Sequence, residues 1–482
     1  MKSNDLTRRS FTAGAVAAAI AIPLRAASAS VSPTMTKLSS YMSEAGGRAL
    51  PEEALEHTKR HILDTFAAMV SGSDLAPGRF AIHFAREHST EKVATVAASD
   101  VVCGAIEAAF SNAMLAHSDE TDDSHAPSES HPGASVVPSA LATGEQFNIS
   151  GARFLRAVAL GYDVGTRVAM TVGIGGSQTA THISTHALSG NFGSAAAAGS
   201  AAGLNERQMQ WLVDYASQQA SGIKTWQRDT EHIEKAFLFA GMPARNGITA
   251  ALLVQAGATG VDDVLSGPDN FLVDYAPQAD PSKLIEKLGE RYEVTRTNIK
   301  KWTVGSPIQA PLDALENIRK RHPFEADQVK TVTVRVAASE ASIVNNREMP
   351  DICLQHMIAV MLLDKTASFK AAHDKPRMQD AAVLKQRAKV QLMPDAELEH
   401  QLPARVAIVE VKFTDGSTLT DMVKAVRGTA ENPMSHEEVV DKCRDLMSPV
   451  LGADRCDQLI QTTMSLEKLQ SVRDFRALLQ RA

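Results

Sequence analysis

The chain has 482 residues, 44% hydrophobic and 22% charged, with a net charge of −7. That length exceeds what one core usually organises, so two domains are expected. The mild acidity and the lack of any lysine- or arginine-rich tract argue against a nucleic-acid binder, and four cysteines with no C-x-x-C pair leave zinc-ribbon and iron–sulfur readings without support.

The first segment is not read as part of the fold. In "LTRRSFTAGAVAAAIAIPLRAASAS", Arg8 and Arg9 precede Ser10 and Phe11, an alanine-rich run follows, and Ala27-Ser28-Ala29 forms an A-x-A cleavage pattern. This predicts a twin-arginine export signal over 1–29, removed to leave a periplasmic protein with no membrane attachment. The competing reading is an N-terminal membrane anchor; the apolar run is too short to span a bilayer, and Pro23 and Arg25 break its end. In the periplasm Cys443 and Cys456 could pair; buried free thiols are the alternative.

Helical periodicity dominates from about 50 to 290. "PEEALEHTKRHILDTFAAMVSG" opens with Pro51 and two glutamates, carries Leu55, Ile62, Leu63, Phe66 and Val70 near helical spacing, and ends at Gly72. "SGARFLRAVALGYDVGTRVAM" repeats the pattern behind a capping Ser150. The small residues of "FGSAAAAGSAAGL" predict a helix packed closely inside a bundle, and "NERQMQWLVDYASQQASG" and "RNGITAALLVQAGATG" predict two more helices. Near 300 the period changes. Val332, Val334 and Val336 alternate with Thr331, Thr333 and Arg335, as in a half-buried strand, and "RVAIVEVKFTDGSTLTDMV" reads as a hairpin turning at Asp415-Gly416. The run "DICLQHMIAVMLLDKTASF" between them is helical, which makes 298–424 a smaller α+β unit. "SHEEVVDKCRDLM" and "LEKLQSVRDFRALLQRA" are helical again, and 425–482 is expected to return to the first domain. The expected class is mainly α, with a large helical domain over 36–297 and the smaller unit beside it.

One stretch stands apart. "HSDETDDSHAPSESHPGAS", from His117 to Ser135, joins the helical runs "AIEAAFSNAMLAHS" and "ASVVPSALATGEQF" and carries Asp119, Glu120, Asp122, Asp123, His125 and His131. Crowded carboxylates and imidazoles shift each other's pKa values, as acid/base chemistry near neutral pH requires. Spacing alone is compatible with a solvated loop, a metal site or a catalytic loop. Isolated histidines such as His57, His61 and His83 are read as surface or hydrogen-bonded residues.

Four motifs, in order, resemble the MmgE/PrpD family. "AHSDETDDSHAPSESHPGASVVPSALA" is similar to its acidic core followed by His-Pro and an apolar helix. "HISTHALSGNFGSAAAAGSAAGL" resembles its histidine-containing turn before a small-residue helix, "EKAFLFAGMPARNGITAALLVQAGATG" its lysine segment, and "MPDICLQHMIAVMLLD" a helix of its lid domain. The resemblance covers essentially everything after the export signal. It implies an all-helical domain under an α+β lid, a homodimer, and a cofactor-independent reaction on a small di- or tricarboxylate, with no metal. The reaction implied is that of a lyase (dehydratase or decarboxylase) or an epimerase that removes a proton next to a carboxylate.

The same resemblance implies catalytic roles for Glu120, Asp122, His131, Lys235 and one of His182 and His186. It implies substrate contacts from Ser124, Gln309 and His356; Trp226 and Arg228, in "KTWQRDTEH", are read either as pocket-lining residues or as caps of a loop. Two departures stand out. The spacing from Lys235 to Gly241 is one residue longer than the family pattern, and "KKWTVGSPIQAPLDA" has Gln309 where the family has histidine. Glutamine hydrogen-bonds but does not shuttle a proton. Two other classes remain open: an exported metal-dependent hydrolase using Asp119, Asp122, His125 and His131, and a non-catalytic carboxylate-binding protein.

The export reading has a direct test. Replacing Arg8 and Arg9 with lysine should hold the protein in the cytoplasm on cell fractionation; an unchanged periplasmic yield would defeat it.

Overall fold

Residues 31–172, 183–276 and 278–481 are described by the computed structural model; the 1–29 segment and His182 lie outside them. The Thr185–Ala202 helix is the axis of the larger core, and of residues 185–201 only His186 is not fully buried. Its alanines, serines and glycines let the Gly151–Val172, Pro132–Phe147 and Met242–Gln255 helices approach closely on different sides. The closeness is visible at Gly247, where an added Cβ would meet Ala195 N at 2.5 Å and Asn191 O at 2.6 Å. The helical stretch Ile233–Gln255 is long and apolar enough to cross a membrane, and packing against this axis accounts for its composition.

The Glu52–Gly72 helix closes another side of the bundle. Against it pack the C-terminal helices His436–Leu451 and Ala453–Met464, which share its core through Val439, Cys443, Leu446, Cys456 and Leu459. All four cysteines are free and buried. The last run is less helical than its period suggests: two short 3₁₀ turns, Leu466–Lys468 and Val472–Asp474, precede the Phe475–Leu479 helix. Phe475 nevertheless anchors it, stacking edge-on to Phe66 at 5.1 Å.

A second, separate core runs from Trp302 to Val426. Its sheet has the order 390–395, 329–337, 407–413, 418–423. The Val329–Ala337 strand buries its valines, as the alternation predicts, and the hairpin turns over 414–417. The parallel strand Val390–Asp395 has no clear signal in the sequence because it is an edge strand with mostly exposed side chains and a proline, Pro394. The Ser306–Arg321 and Leu354–Asp364 helices cover one face. Among the described residues, strands before 290 are confined to a two-stranded ribbon, Ala94–Thr95 with Val102–Cys103. The protein is therefore mainly helical, with a smaller α+β domain.

One buried tie reaches from the C-terminal helix to the acid-rich loop. Lys442 Nζ lies 2.6 Å from Asp64 Oδ1 and donates to Thr121 O at 3.0 Å. Removing one partner of a buried pair costs about 3–5 kcal/mol. Lys442→Met should therefore lower the denaturation midpoint by that order; a loss below ~1 kcal/mol would show that the tie carries little.

Candidate active site

The His117–His131 loop is not solvated. His117, Asp119, Glu120, Asp122, Asp123, His125 and His131 are all buried, none more than 8% exposed. Buried charges must be paired and hydrogen-bonded to persist, and the loop's carboxylates face different partners. Its ends are fixed by helices: Ala105–Ala116 stops at His117, and Pro132, in the first turn of Pro132–Phe147, sets the helix start behind His131. In the middle, Ser124 pairs by backbone with Asn298, which ties the loop to the domain junction.

Asp123 is a brace. It accepts from Tyr162 OH at 2.5 Å and from Gly133 N at 3.0 Å, and its Oδ2 lies 2.9 Å from His61 Nδ1. An added Cβ at Gly133 would strike Tyr162 Oη at 2.6 Å and Asp123 Oδ2 at 2.7 Å, so the loop can close only over glycine here. His125 is also structural, with Nδ1 at 2.7 Å from Ser128 Oγ and Nε2 at 3.3 Å from Glu293.

Asp122 is the centre of the site. Its Oδ2 lies 2.8 Å from His117 Nδ1, and its Oδ1 lies 3.3 Å from His131 Nδ1 and 3.6 Å from Lys300 Nζ. Burial pushes this carboxyl up, but His117, His131 and Lys300 outweigh burial and hold it well below the usual range. Burial pushes His117 down to about 3 against the pull of Asp122. A neutral His117 next to an ionised Asp122 donates its Nδ1–H, which leaves the lone pair on Nε2, and that buried atom has no hydrogen-bond partner among the described residues.

The opposite wall is aromatic. Phe239 stacks on His186 at 3.8 Å and on His117 at 4.8 Å, and meets Trp226 edge-on at 4.8 Å. His131 stacks on His186 at 5.2 Å. Phe239 and Lys235 are presented by the Ile233–Ala236 turn running into a π-turn, Phe237–Gly241. A π-turn holds more residues than an α-turn and so absorbs the long Lys235–Gly241 spacing. Lys235 contacts Glu120 Oε1 directly, and Lys300 donates to Glu120 O at 2.9 Å. Burial, with Lys300 nearby, pulls Lys235 down to about 7, although contact with Glu120 favours the ammonium.

The α+β domain closes over these groups. His373, from Phe369–His373, places Nε2 2.9 Å from Asp119 Oδ2. Burial opposes His373's charge, but Asp119 outweighs it and raises the imidazole, while His373 and Thr121 hold Asp119 low. Arg347 donates to Gln227 O at 3.2 Å, beside a cleft of about 250 Å³ between 227–230 and 346–349.

The structure thus brings together Glu120, Asp122, His131, His186, Lys235 and Trp226. Arg228 is exposed and lines the outer cleft. Gln309 is turned away, spending its amide on Trp302 and Val304 backbone; it braces the 302–304 turn instead of facing the site. His356 is fully buried inside the α+β domain, where its charged neighbours are Arg387, Arg377 and Asp374, none of them a cleft residue. The set Asp119, Asp122, His125 and His131 does not converge, because Asp119 and His125 face other partners. Sequence reasoning missed His117, His232, Phe239 and Lys300. Of these, His117 and His232 stand close to the acidic core and to Lys235 and carried the only local signal.

A helical domain capped by an α+β domain over a buried acid–imidazole–lysine cleft gathers the side-chain types that acid/base chemistry uses. Two family descriptions fit the chain: MmgE/PrpD N-terminal domain over residues 36–283 and MmgE/PrpD C-terminal domain over 302–468. The chain belongs to the MmgE/PrpD family. It is similar to the cis-aconitate decarboxylase-like protein oryM of Aspergillus oryzae, 24% identical over 481 residues, covering 92% of this chain and 96% of that one. It is also similar to cis-aconitate decarboxylases of Aspergillus terreus, 23% identical over 467 residues (89% and 92% covered), and of Homo sapiens, 25% identical over 447 residues (87% and 89% covered).

The two adjacent aspartates should separate experimentally. Asp122→Asn removes the charge shared by two imidazoles and Lys300 and should abolish activity; Lys300 keeps Glu120 as a partner, so Tm should fall less than in Asp123→Ala. Asp123→Ala strands Tyr162 OH and Gly133 N–H, at about 1–3 kcal/mol for each unsatisfied group, and should lower Tm by several degrees. Melting curves with the reverse pattern would exchange these roles.

Proposed function

We propose that this protein is a cofactor-independent lyase acting on a small di- or tricarboxylate, with removal of a proton next to a carboxylate as the shared first step. The observation that carries the reading is Asp122, ionised and fully buried between His117, His131 and Lys300, beside the Lys235–Glu120 pair. Lys235 and Lys300 are placed to take one carboxylate arm and to stabilise the enolate-like charge that develops when the neighbouring C–H is broken. His131, whose Nδ1 lies 3.3 Å from Asp122, offers its ring as base, and His117, kept neutral by burial, holds Asp122 through Nδ1 from a ring 5.1 Å away. The capping domain excludes water. Dehydration, decarboxylation and epimerisation diverge after that step. Relatives named as cis-aconitate decarboxylases favour a lyase over an epimerase. The mature protein is proposed to act in the periplasm as a homodimer.

One observation favours a second reading. His117, Asp122 and His131, and separately His117, Glu120 and His232, place possible ligand atoms within 4.8 Å of one another, as a divalent metal would need. Two ammonium groups in the same cluster compete with a cation, since Lys300 lies 3.6 Å from Asp122 and Lys235 touches Glu120. Stoichiometric zinc or iron in the purified protein, with activity lost to chelation, would decide for the metal.

The test is a polycarboxylate panel followed by NMR in deuterated solvent, where exchange reveals proton abstraction even without net turnover. On a confirmed substrate, His131→Ala and Lys235→Ala should each lose about 10²–10⁴-fold in rate in protein that still melts cooperatively. Lys235 loses its charge as pH rises through about 7, so substrate affinity should fall across that limb, and Lys235→Arg should move the limb upward. Full activity in both alanine variants would remove the loop from catalysis.

A further inference from the structure

We propose that His373 of the α+β domain is a positioning residue that works only while its ring carries two protons: charged, it holds Asp119 and the acid-rich loop in place; neutral, it leaves that loop loosened. The geometry of the ring carries this. Its Nδ1 lies 2.7 Å from the carbonyl oxygen of Phe369, and its Nε2 lies 2.9 Å from Asp119 Oδ2. Both neighbours are acceptors, and turning the ring over would set carbon atoms against them. A neutral imidazole has one N–H, so either tautomer leaves a lone pair against an oxygen; only the imidazolium offers a proton to both. The Nε2 contact is not aligned as a hydrogen bond, so charge holds it.

Asp119 depends on that charge. It is 1% exposed, and among the described residues His373 is its only salt-bridge partner. Its other hydrogen bonds come from Thr121, through the backbone N–H at 3.0 Å and the hydroxyl, inside the same turn. Lys235 and Lys300 pair with Glu120 and Asp122 instead. A buried carboxylate that loses its counter-charge is strongly destabilised. Ties from Lys300 to Glu120 O and from Lys442 to Thr121 O remain, so the loss loosens the 118–121 turn without unfolding the domain.

The surroundings set the direction of the pH response. Burial opposes the charge on His373. Asp119, Asp351 in the Pro350–Ile352 turn packed against it, and the Phe369 carbonyl outweigh burial and raise the ring above the ordinary 6.5. Lys370 and Asp374 flank it on its own segment. At the other end, Lys235, Lys300 and His232 lie within electrostatic reach of Asp119. A basic group raised by folding stabilises in full below its unfolded value, and that contribution is lost as pH rises through the folded value. The brace is therefore complete below about 6.5 and fades above it.

The experiment uses the full chain and needs no substrate. In protein labelled at histidine Cε1 and titrated by NMR, the His373 signal is identified by its loss in His373→Gln. It should titrate above 6.5 in wild type and below 6.5 in Asp119→Asn, where burial dominates. Hydrogen exchange of the 118–125 segment, corrected for intrinsic rate, should quicken about tenfold between about pH 6 and about pH 9 in wild type, one pKa unit being tenfold in the equilibrium. His373→Gln should exchange fast at both values; His373→Lys, which keeps its charge throughout, should exchange slowly at both. Melting curves establish that each variant folds, and the wild-type titration and exchange decide by themselves if one does not. A His373 that titrates below 6.5 in wild type, or is unmoved in Asp119→Asn, would overturn the proposal. So would wild-type exchange that is flat with pH, or His373→Gln exchanging as slowly as wild type at the lower value. A pH-dependent loss that persists in His373→Lys would also overturn it, assigning the effect to Lys235, which loses its charge near 7.

Discussion

The structure depends on burying four carboxylates and three imidazoles carried on one loop. Asp122 shows why this is possible. Alone in a low-dielectric interior it would bind a proton; flanked by His117, His131 and Lys300 it stays ionised. Every other acidic group of the core has its own counterpart: Asp119 has His373, Glu120 has Lys235 and Lys300, and Asp123 has Tyr162, His61 and Gly133 N–H. These partners come from five segments outside the loop, those carrying His61, Tyr162, Lys235, Lys300 and His373, so the loop is dry only with both domains in place.

The same arrangement divides the cleft electrically. Lys235 and Lys300 form a cationic side, while the charged groups that act most strongly on His232 are carboxylates. Phe239 separates and orients the imidazoles by stacking, which fixes ring planes without consuming ring nitrogens. Several of those nitrogens remain unpartnered at His117, His131 and His232.

The capping domain contributes through few contacts. His373 on Asp119, Arg347 on Gln227 and the exposed Lys375–Glu231 pair bridge it to the helical domain near the cleft. Its own core is independent of the helical one. Phe369 adds an apolar contact from the His373 segment, packed against the helical core.

The sequence by itself determined most of the helices, the valine strand and the hairpin, because amphipathic periods of 3.6 and 2 follow from which face each element buries. It also located the acid-rich loop and Lys235, whose motifs are local. It left undecided whether the loop was wet or dry, since burial depends on distant residues such as Lys300, Lys442 and His373 that no short window contains. The edge strand over 390–395 escaped because exposed side chains leave no alternation to read. Gln309 and His356 show the converse: their places in the family pattern suggested the site, but Gln309 satisfies backbone groups of its own turn and His356 faces its own domain. His117 and His232 were visible as residues, but only the tertiary structure showed that their rings meet across the cleft, because ring orientation is set by the left-handed backbone at 232 and by stacking on Phe239.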